Sequence, residues 1–453
     1  MRHILQRPSP SRLAIWLSLL FIILGLVRYQ PERTEPLISW DVTLYYYYLP
    51  AYLKYQDPGA TGEWNELLTE HNVTPPGEGE KLPGKMSLGL SYLYLPFYLM
   101  ADVSAGLFGY PADGFSPPYD LALIIGGIVA FMIGIGFLRR ILLQIFSEWV
   151  VALTLILLFI GTNLWVFTLW RGANPHVWIF SLMAILLWLT LRFQKTPRSG
   201  IIIWMGIIMG EIVLIRPSDL ILVMVPFLII LFSKNGSASR SYFLKRIHYL
   251  VLFGLLPWIP QILHWKMMTG DWLFYSYGKE GFFWLDPKLV EGLFSFRKGW
   301  WVYSPIMVFL IPGFTVLFKQ DKSLFNSLFW PLLIGFYITV SWWCWWYGGS
   351  FGLRPMIDWL PALAIPLAFG IQALLKWNRA IFLSISFLMV AHVLFTSDLY
   401  IRGILHFDSM TFRSMTLLYQ NPHWTEEYKQ SLCTPNYPKA LNGDRDLDQC
   451  ETP

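Results

Sequence analysis

An acidic side chain stands in an aromatic run shortly after the first apolar segment of this chain. The run reads Ser39-Trp40-Asp41, and four consecutive tyrosines follow at positions 45–48. A carboxylate at Asp41 could take the proton of an attacking hydroxyl group, and the neighbouring rings could stack on a sugar. The alternative is that Asp41 caps the helix that contains the tyrosines, because an acidic residue is favoured at a helix start. The two roles are compatible, so Asp41 is the candidate catalytic base.

Transfer of a group from a phosphate also needs cations that hold the departing phosphate. Arginine offers a planar fork that matches phosphate oxygens. Arg354 follows the glycine-rich stretch 348–352 and precedes an expected helix start, where an anion is favoured. The alternative is that basic residues near aromatic rings, such as those before Trp300-Trp301, anchor the chain at the membrane interface. The candidate phosphate ligands are Lys85, Arg216, Arg297, Lys298 and Arg354.

Two further polar residues are candidates for substrate binding. His176 lies in an expected short outer turn, although a single histidine is more often only hydrogen-bonded. Glu280 lies in a loop beside Lys279, where a solvated position is an equal alternative. Asp219 is expected to pair with Arg216. No cluster of His, Cys and Asp has metal-ligand spacing, and the sequence has no Walker loop or serine-hydrolase elbow. No cofactor is therefore assigned, and a divalent metal stays an open alternative.

Composition sets the class of protein that must position these side chains. The chain has 453 residues, of which 55% are hydrophobic and only 14% charged, with a mean hydropathy of +0.47. These values exclude an ordinary soluble domain and indicate an all-α polytopic membrane protein. The net charge of +5 comes mostly from basic residues in short loops between apolar runs. This pattern sets membrane orientation and does not indicate a nucleic-acid partner.

Apolar runs of membrane-spanning length recur along the whole chain. The first follows three arginines and lacks a small-residue cleavage site, so we expect a retained anchor rather than a signal peptide. About eleven transmembrane helices are predicted, at 13–29, 119–138, 149–169, 174–193, 200–215, 217–232, 247–264, 303–319, 324–343, 355–375 and 379–397.

The apolar segment 86–109 is treated differently because it contains Pro96 and Asp102. If it crossed the membrane, Arg139-Arg140 would lie on the side opposite the N-terminus, against the positive-inside rule. We therefore expect an interfacial helix in the first outer loop. The resulting topology has a cytoplasmic N-terminus and an extracytoplasmic C-terminus.

Three segments face outward in this topology. The first outer loop covers 30–118 and the second covers 265–302. A polar extracytoplasmic tail covers 398–453 and follows a membrane domain of residues 1–397. Cys433 and Cys450 lie in that tail, where a disulfide can persist, and Cys344 is expected to be a buried thiol.

The layout resembles the C-type glycosyltransferase superfamily (GT-C). The resemblance rests on an outward Asp41 after the first span, the tyrosine run at 45–48, the segment Lys85-Met86-Ser87-Leu88-Gly89 that opens the interfacial helix, and a span ending in Arg139-Arg140. Within the superfamily it is most similar to protein O-mannosyltransferases and to the bacterial lipid A aminoarabinose transferase. It implies an inverting transferase that uses a polyprenyl-phosphate sugar on the outer membrane face, with Asp41 as base. The chain departs from that pattern because it has no second acidic residue beside Asp41, and because it has His176 near where many members carry an acidic residue.

The expected function is therefore transfer of a sugar from a lipid-phosphate donor to a hydroxyl of a glycan, lipid or protein acceptor, in a bacterial inner membrane. A non-catalytic lipid or polysaccharide transporter is one alternative, although it would need ionisable residues near the membrane midplane. An O-antigen ligase or polymerase is another, although it would favour a longer late outer loop than 265–302.

Overall fold

The chain folds almost entirely into helices. The computed structural model describes residues 9–62, 64–77, 80–233 and 236–445. In these ranges no β-strand forms, and one isolated antiparallel bridge joins Phe282 to Trp342. The all-α expectation is confirmed.

The N-terminal half contains thirteen of the helices in the described ranges, numbered here in chain order. Short 3-10 turns cover Gln30–Glu32 and Pro217–Asp219. The helices are α1 Pro10–Tyr29, α2 Asp41–Tyr46, α3 Tyr48–Leu53, α4 Asn65–Glu70, α5 Gly89–Leu107, α6 Pro117–Leu142, α7 Glu148–Ile160, α8 Leu164–Leu169, α9 Pro175–Lys195, α10 Ser199–Ile215, α11 Leu220–Phe232, α12 Ser237–Leu244 and α13 Ile247–Gly254.

The C-terminal half contains the other ten helices of the described ranges. Its 3-10 turns cover Pro305–Phe309 and Arg354–Ile357. The helices are α14 Trp258–Thr269, α15 Leu289–Phe294, α16 Trp300–Tyr303, α17 Leu310–Gln320, α18 Lys322–Ser341, α19 Leu360–Trp377, α20 Arg379–Ile401, α21 Phe412–Gln420, α22 Glu426–Gln430 and α23 Tyr437–Leu441.

Seven helical segments in the described ranges are long and apolar enough to cross a membrane. Four shorter apolar helices accompany them, at Glu148–Ile160, Ser199–Ile215, Pro217–Phe232 and Pro305–Gln320. Each of the eleven predicted spans overlaps one of these segments, but the span predicted at 149–169 is interrupted, because α7 ends at Ile160 and α8 begins at Leu164. The chain is therefore an integral membrane protein. The seven segments are Pro10–Glu32, Pro117–Leu142, Pro175–Lys195, Ile247–Thr269, Lys322–Ser341, Leu360–Trp377 and Arg379–Ile401.

The segment predicted to lie at the interface forms α5, a helix of 19 residues with Pro96 inside it. It is not among the seven segments that meet the length and hydropathy criteria for a span. The helix is therefore long enough to cross a membrane, but its hydropathy distinguishes it from the seven candidate spans.

The helices form two compact units. The first unit comprises the described parts of Met1–Glu32, Met132–Val166 and Gly281–Pro453. The second unit comprises the described parts of Arg33–Phe131 and Phe167–Glu280. Asp41 belongs to the second unit and the C-terminal tail to the first.

Glycines allow two helices of the second unit to pack closely. A Cβ on Gly210 of α10 would lie 2.0 Å from the backbone oxygen of Gly254 at the end of α13, and one on Gly206 would lie 2.6 Å from the backbone oxygen of Leu250. Small residues at this spacing let helix backbones approach in a membrane, where lipid gives no hydrophobic drive for association.

Candidate active site

Asp41 is the first residue of α2 and also the third residue of a tight turn. The amide of Val42 donates to the carbonyl of Ser39 at 3.1 Å, which closes a four-residue turn with Trp40 and Asp41 at its centre. Trp40 has φ 53° and ψ −127°, as at the first central position of a type II′ turn, where glycine is favoured. A strained backbone of this kind costs about 1–3 kcal/mol and often marks a functional site.

The tyrosine run that follows Asp41 is part of the protein core. Tyr45 is 4% exposed, and the next three tyrosines are at most 1% exposed. The hydroxyl of Tyr46 donates to the carbonyl of Gly114, and that of Tyr48 donates to the carbonyl of Met86 at 2.5 Å. These rings therefore pack and position backbone rather than offering a face to a sugar. Tyr48 also fixes the segment that contains Lys85.

Lys85 and Glu280 meet in the second unit. Their side chains form an ion pair with 2.6 Å between Lys85 Nζ and Glu280 Oε1, and both remain partly exposed. The Ser276 hydroxyl donates to the Lys85 carbonyl at 2.7 Å, and the Lys85 ammonium lies 5.7 Å from the centre of the Tyr277 ring. The first outer loop and residues 276–280 are thus joined at two candidate residues.

Arg216 and His176 form a second pair of candidates. Arg216 follows the last residue of α10 in an extended conformation, because Pro217 disfavours helix at the preceding residue. Its Nη1 lies 3.2 Å from Nε2 of His176, a residue that is 1% exposed. Asp219 lies 3.5 Å from Arg216 Nε, so the expected Arg216–Asp219 ion pair is present.

Tyr277 connects these groups. Burial raises the pKa of its hydroxyl; the Arg216 charge opposes this shift, while the charges of Asp41 and Glu280 add to it. The Lys85 ammonium lies beside the Tyr277 ring, and the charges of Arg216, Asp41 and Glu280 act on its hydroxyl. The second unit thus contains two carboxylates, two cations and a partly buried phenol. The sequence analysis did not identify Tyr277, because one tyrosine in an aromatic-rich loop gives no signal of its own.

The cations Arg297 and Lys298 belong to the first unit, where both side chains are buried. Arg297 donates to the carbonyls of Asp408 and Cys433, the latter at 2.7 Å. Lys298 donates to the carbonyls of Ser350 and Phe407. Burial lowers the pKa of Arg297 to about 10 and that of Lys298 well below its usual value. These contacts hold the tail at Phe407, Asp408 and Cys433. The contacts of these two side chains give no support to the expected phosphate contact.

Asp408 is the acidic centre of the folded tail. It accepts hydrogen bonds from Ser409 at 2.8 Å and Tyr437 at 2.7 Å, and it lies 3.3 Å from His406 Nδ1. Burial alone would raise the pKa of Asp408, but these hydrogen bonds and the Lys298 charge hold it at about 2. The tail thus has its own polar core.

The cysteines agree with the expected roles as far as they are described. Cys433 is in the disulfide form, and Cys344 is a buried free thiol whose pKa is raised to about 12 by burial. Cys450 lies outside the described residues, so its pairing with Cys433 stays a prediction.

Arg354 opens a 3-10 turn in the first unit and is half-buried. Gly352 precedes it with φ 63°, and a Cβ there would lie 2.7 Å from Tyr303 Cβ, so this bend requires glycine. The charge of Arg354 contributes to the lowered pKa of Lys298, which places the two cations near each other. Arg354 therefore lies with the tail-anchoring residues of its own unit.

Within the described ranges no three His, Cys, Asp or Glu side chains are grouped so that they could hold a metal ion. The candidate groups of the second unit are two carboxylates, Asp41 and Glu280, two cations, Lys85 and Arg216, the His176 imidazole and the Tyr277 phenol.

A solved structure resembles this chain. The crystal structure of ArnT from Cupriavidus metallidurans in the apo state matches it with a TM-score of 0.51, over 87% of this chain and 69% of that chain, at 13% sequence identity. The two proteins share a fold. No protein-family model matches the chain. No curated protein sequence matches it either.

ArnT is a lipid A aminoarabinose transferase of the GT-C superfamily. The resemblance expected from the sequence is therefore confirmed at the level of the fold. A shared fold does not assign a function. Roles at the site must come from the side chains of this chain.

Proposed function

We propose that this protein is a membrane glycosyltransferase of the GT-C type that moves a sugar from a polyprenyl-phosphate donor to a hydroxyl acceptor. The main observation is that two carboxylates, Asp41 and Glu280, and two cations, Lys85 and Arg216, belong to the same unit as Tyr277, on which three of these charges act. This set matches the needs of glycosyl transfer from a phosphate, namely one proton acceptor and positive charge for the leaving group. The ArnT-like fold supports the same reaction class.

In the proposed reaction the acceptor oxygen attacks the anomeric carbon of the donor. A new carbon–oxygen bond forms as the bond from that carbon to the phosphate oxygen breaks. The bonding electron pair leaves with the polyprenyl phosphate, and the acceptor proton moves to Asp41. A single displacement of this kind inverts the anomeric centre.

Lys85 and Arg216 are the proposed ligands of the donor phosphate. His176 lies against Arg216 and orients its guanidinium group. Glu280 holds Lys85 in the substrate-free protein, so a phosphate must compete with this carboxylate. Arg354 stays a proposed phosphate ligand on its chemistry alone, since its fork suits phosphate oxygens.

The finer topology is part of the proposal. We place eleven spans in the bacterial inner membrane, with α5 along the outer interface, the N-terminus inside and the tail outside. The acceptor is a glycan, lipid or protein on the outer face. A transporter would need ionisable groups spread along its spans, whereas Asp41, His176 and Arg216 lie at helix ends.

Comparison of surface glycans tests this function. We expect a strain lacking the gene to lose one sugar substituent from an envelope glycan, lipid or protein, and the intact gene to restore it. The polyprenyl phosphate that still carries its sugar should accumulate in the same strain. Unchanged glycans together with altered lipid export would support the transporter alternative instead.

A further inference from the structure

The turn that presents Asp41 is unfavourable for its own sequence. Trp40 occupies a backbone conformation that favours glycine, with φ 53°. Its side chain is 57% exposed, so packing of the indole ring does little to offset the strain. Other groups must therefore hold the turn.

Asp120 holds the turn from one side. Its Oδ2 accepts the Leu37 amide at 2.8 Å, and its Oδ1 accepts the Ile38 amide at 2.9 Å. Both oxygens of the carboxylate are used, one for each amide. An asparagine at this position could accept only one of these hydrogen bonds, because its amide nitrogen is a donor.

His71 holds the turn from the other side. Its Nδ1 donates to the carbonyl of Ile38, and its own carbonyl accepts the Trp40 amide at 3.2 Å and the Thr43 hydroxyl at 3.0 Å. The His71 ring is buried and packs on Phe115 with 4.7 Å between ring centres. The backbone is thus fixed before Asp41, at Ile38 and Trp40, and the Thr43 side chain is fixed after it.

We infer that Asp120 and His71 are positioning residues, which clamp the strained turn so that the Asp41 carboxylate stays fixed within the site. This inference rests on the proposed role of Asp41 as base. The clamp acts through backbone hydrogen bonds, so neither residue needs to touch a substrate. Removing one arm lets Trp40 relax toward an ordinary conformation and turns Asp41 away.

Hydrogen exchange tests the clamp without any assay of function. In the full-length protein in lipid nanodiscs, we expect Asp120→Asn to speed exchange of the Leu37 and Ile38 amides roughly five- to tenfold, as for loss of a hydrogen bond. Asp57→Asn is the control, because one Asp57 oxygen accepts both backbone amides, from Thr61 and Gly62, in the same outer segment, and an asparagine oxygen can still accept both. It should leave exchange at 37–38 unchanged. Unchanged exchange at 37–38 in Asp120→Asn would overturn the clamp.

Rescue by glycine separates positioning from general loss of structure. Asp120→Asn should lower glycan transfer in complemented cells by an order of magnitude or more, since small misplacement of a reacting group is costly. Adding Trp40→Gly should restore part of the activity, because glycine adopts the turn without strain. Adding Trp40→Ala should not, because alanine keeps the Cβ. Equal activity of the two double variants would contradict the inference.

The two proposals fail in different ways. If the Asp120→Asn protein is not produced in the cells, the His71→Ala variant is used instead. It removes the hydrogen bond from the His71 ring to the Ile38 carbonyl, and exchange of the amides at 37–40 is measured in that variant. If exchange rises as expected while Asp41→Asn keeps full activity, the clamp stands and the base assignment is wrong. If Asp41→Asn is inactive and exchange at 37–40 is unchanged, the base assignment stands and the clamp is wrong.

Discussion

At the scale of single residues, the ion pair between Lys85 and Glu280 bears on the proposed binding of the donor phosphate. Its two side chains are partly exposed, so the pair is worth only about 0.2–1 kcal/mol. Such a pair is strong enough to order Lys85 and weak enough for a phosphate to displace it. In the proposed mechanism Glu280 therefore competes with the donor phosphate for Lys85.

Removal of this competitor should strengthen binding of the lipid carrier. We expect Glu280→Gln to tighten binding of undecaprenyl phosphate by about two- to fivefold, as the energy of an exposed ion pair implies. Lys85→Gln should weaken it. Lys279→Gln is the control, because this neighbouring charge is exposed. Titration in nanodiscs measures all three, and weaker binding in Glu280→Gln would assign Glu280 to the ligand itself.

Asp408 gives the tail a pH-dependent anchor. Its folded pKa of about 2 lies below the ordinary value of 3.8, so its contribution to stability is complete above about pH 4 and is lost as the pH falls toward 2. Pepsin digestion should therefore cut the tail faster as the pH falls through this window. Asp408→Asn should remove the part of this dependence that exceeds the pH profile of pepsin itself on an unfolded substrate.

Glu427→Gln is the control for this measurement, because Glu427 pairs with Arg413 at an exposed site of the same tail. It should leave the pH profile unchanged. A profile for Asp408→Asn that matches the parent would show that the tail is held without this carboxylate.

At the scale of elements, close approach of α10 and α13 limits what the second unit tolerates. Gly210→Ala would place a Cβ 2.0 Å from the Gly254 backbone oxygen, so the helices must separate. We expect a loss of stability of about 1–3 kcal/mol, as for overpacking, seen as a lower thermal unfolding midpoint in detergent. Gly200→Ala in the same helix has nothing within 4 Å of the new Cβ and should be neutral. An unchanged midpoint for Gly210→Ala would show that the helices do not pack this closely.

The elements were predictable from the sequence, and the site only in part. Long apolar runs define helices because each run must satisfy its own backbone in lipid, and all eleven predicted segments overlap helices. For Arg297 and Lys298 the sequence offered a phosphate contact or, because tryptophans follow, an anchor at the membrane interface. Their partners in the structure are carbonyl groups more than fifty residues away in the sequence. Asp120 and His71 act on Asp41 from distant positions, and no local pattern predicts such long-range hydrogen bonds.

At the scale of the whole molecule, the helices place the candidate groups in two separate units. Asp41, Lys85, His176, Arg216 and Glu280 lie in one, and Arg297, Lys298 and Arg354 in the other. The ArnT-like fold accounts for the membrane framework. The proposed reaction uses the first of these sets, and Arg354 of the second set is proposed on its chemistry alone.

Topology is testable at the same scale. Glu70 is exposed in the first outer segment, and Gly200 is exposed at the start of α10. We expect a membrane-impermeant maleimide to label Glu70→Cys but not Gly200→Cys in intact spheroplasts, and to label both after lysis. The parent protein is the control for its native cysteines. Labelling of Gly200→Cys from outside would reverse the proposed orientation.

The central claim is that Asp41 takes the proton of the acceptor. The most direct measurement is restoration of the glycan in the deletion strain by Asp41→Asn, with Asp57→Asn as a matched control in the same outer segment. An amide keeps the size of the side chain but cannot accept the proton. We expect normal expression and no restored glycan for Asp41→Asn, with full restoration by Asp57→Asn. Near-parental restoration by Asp41→Asn would rule out Asp41 as the base and leave it as a helix cap.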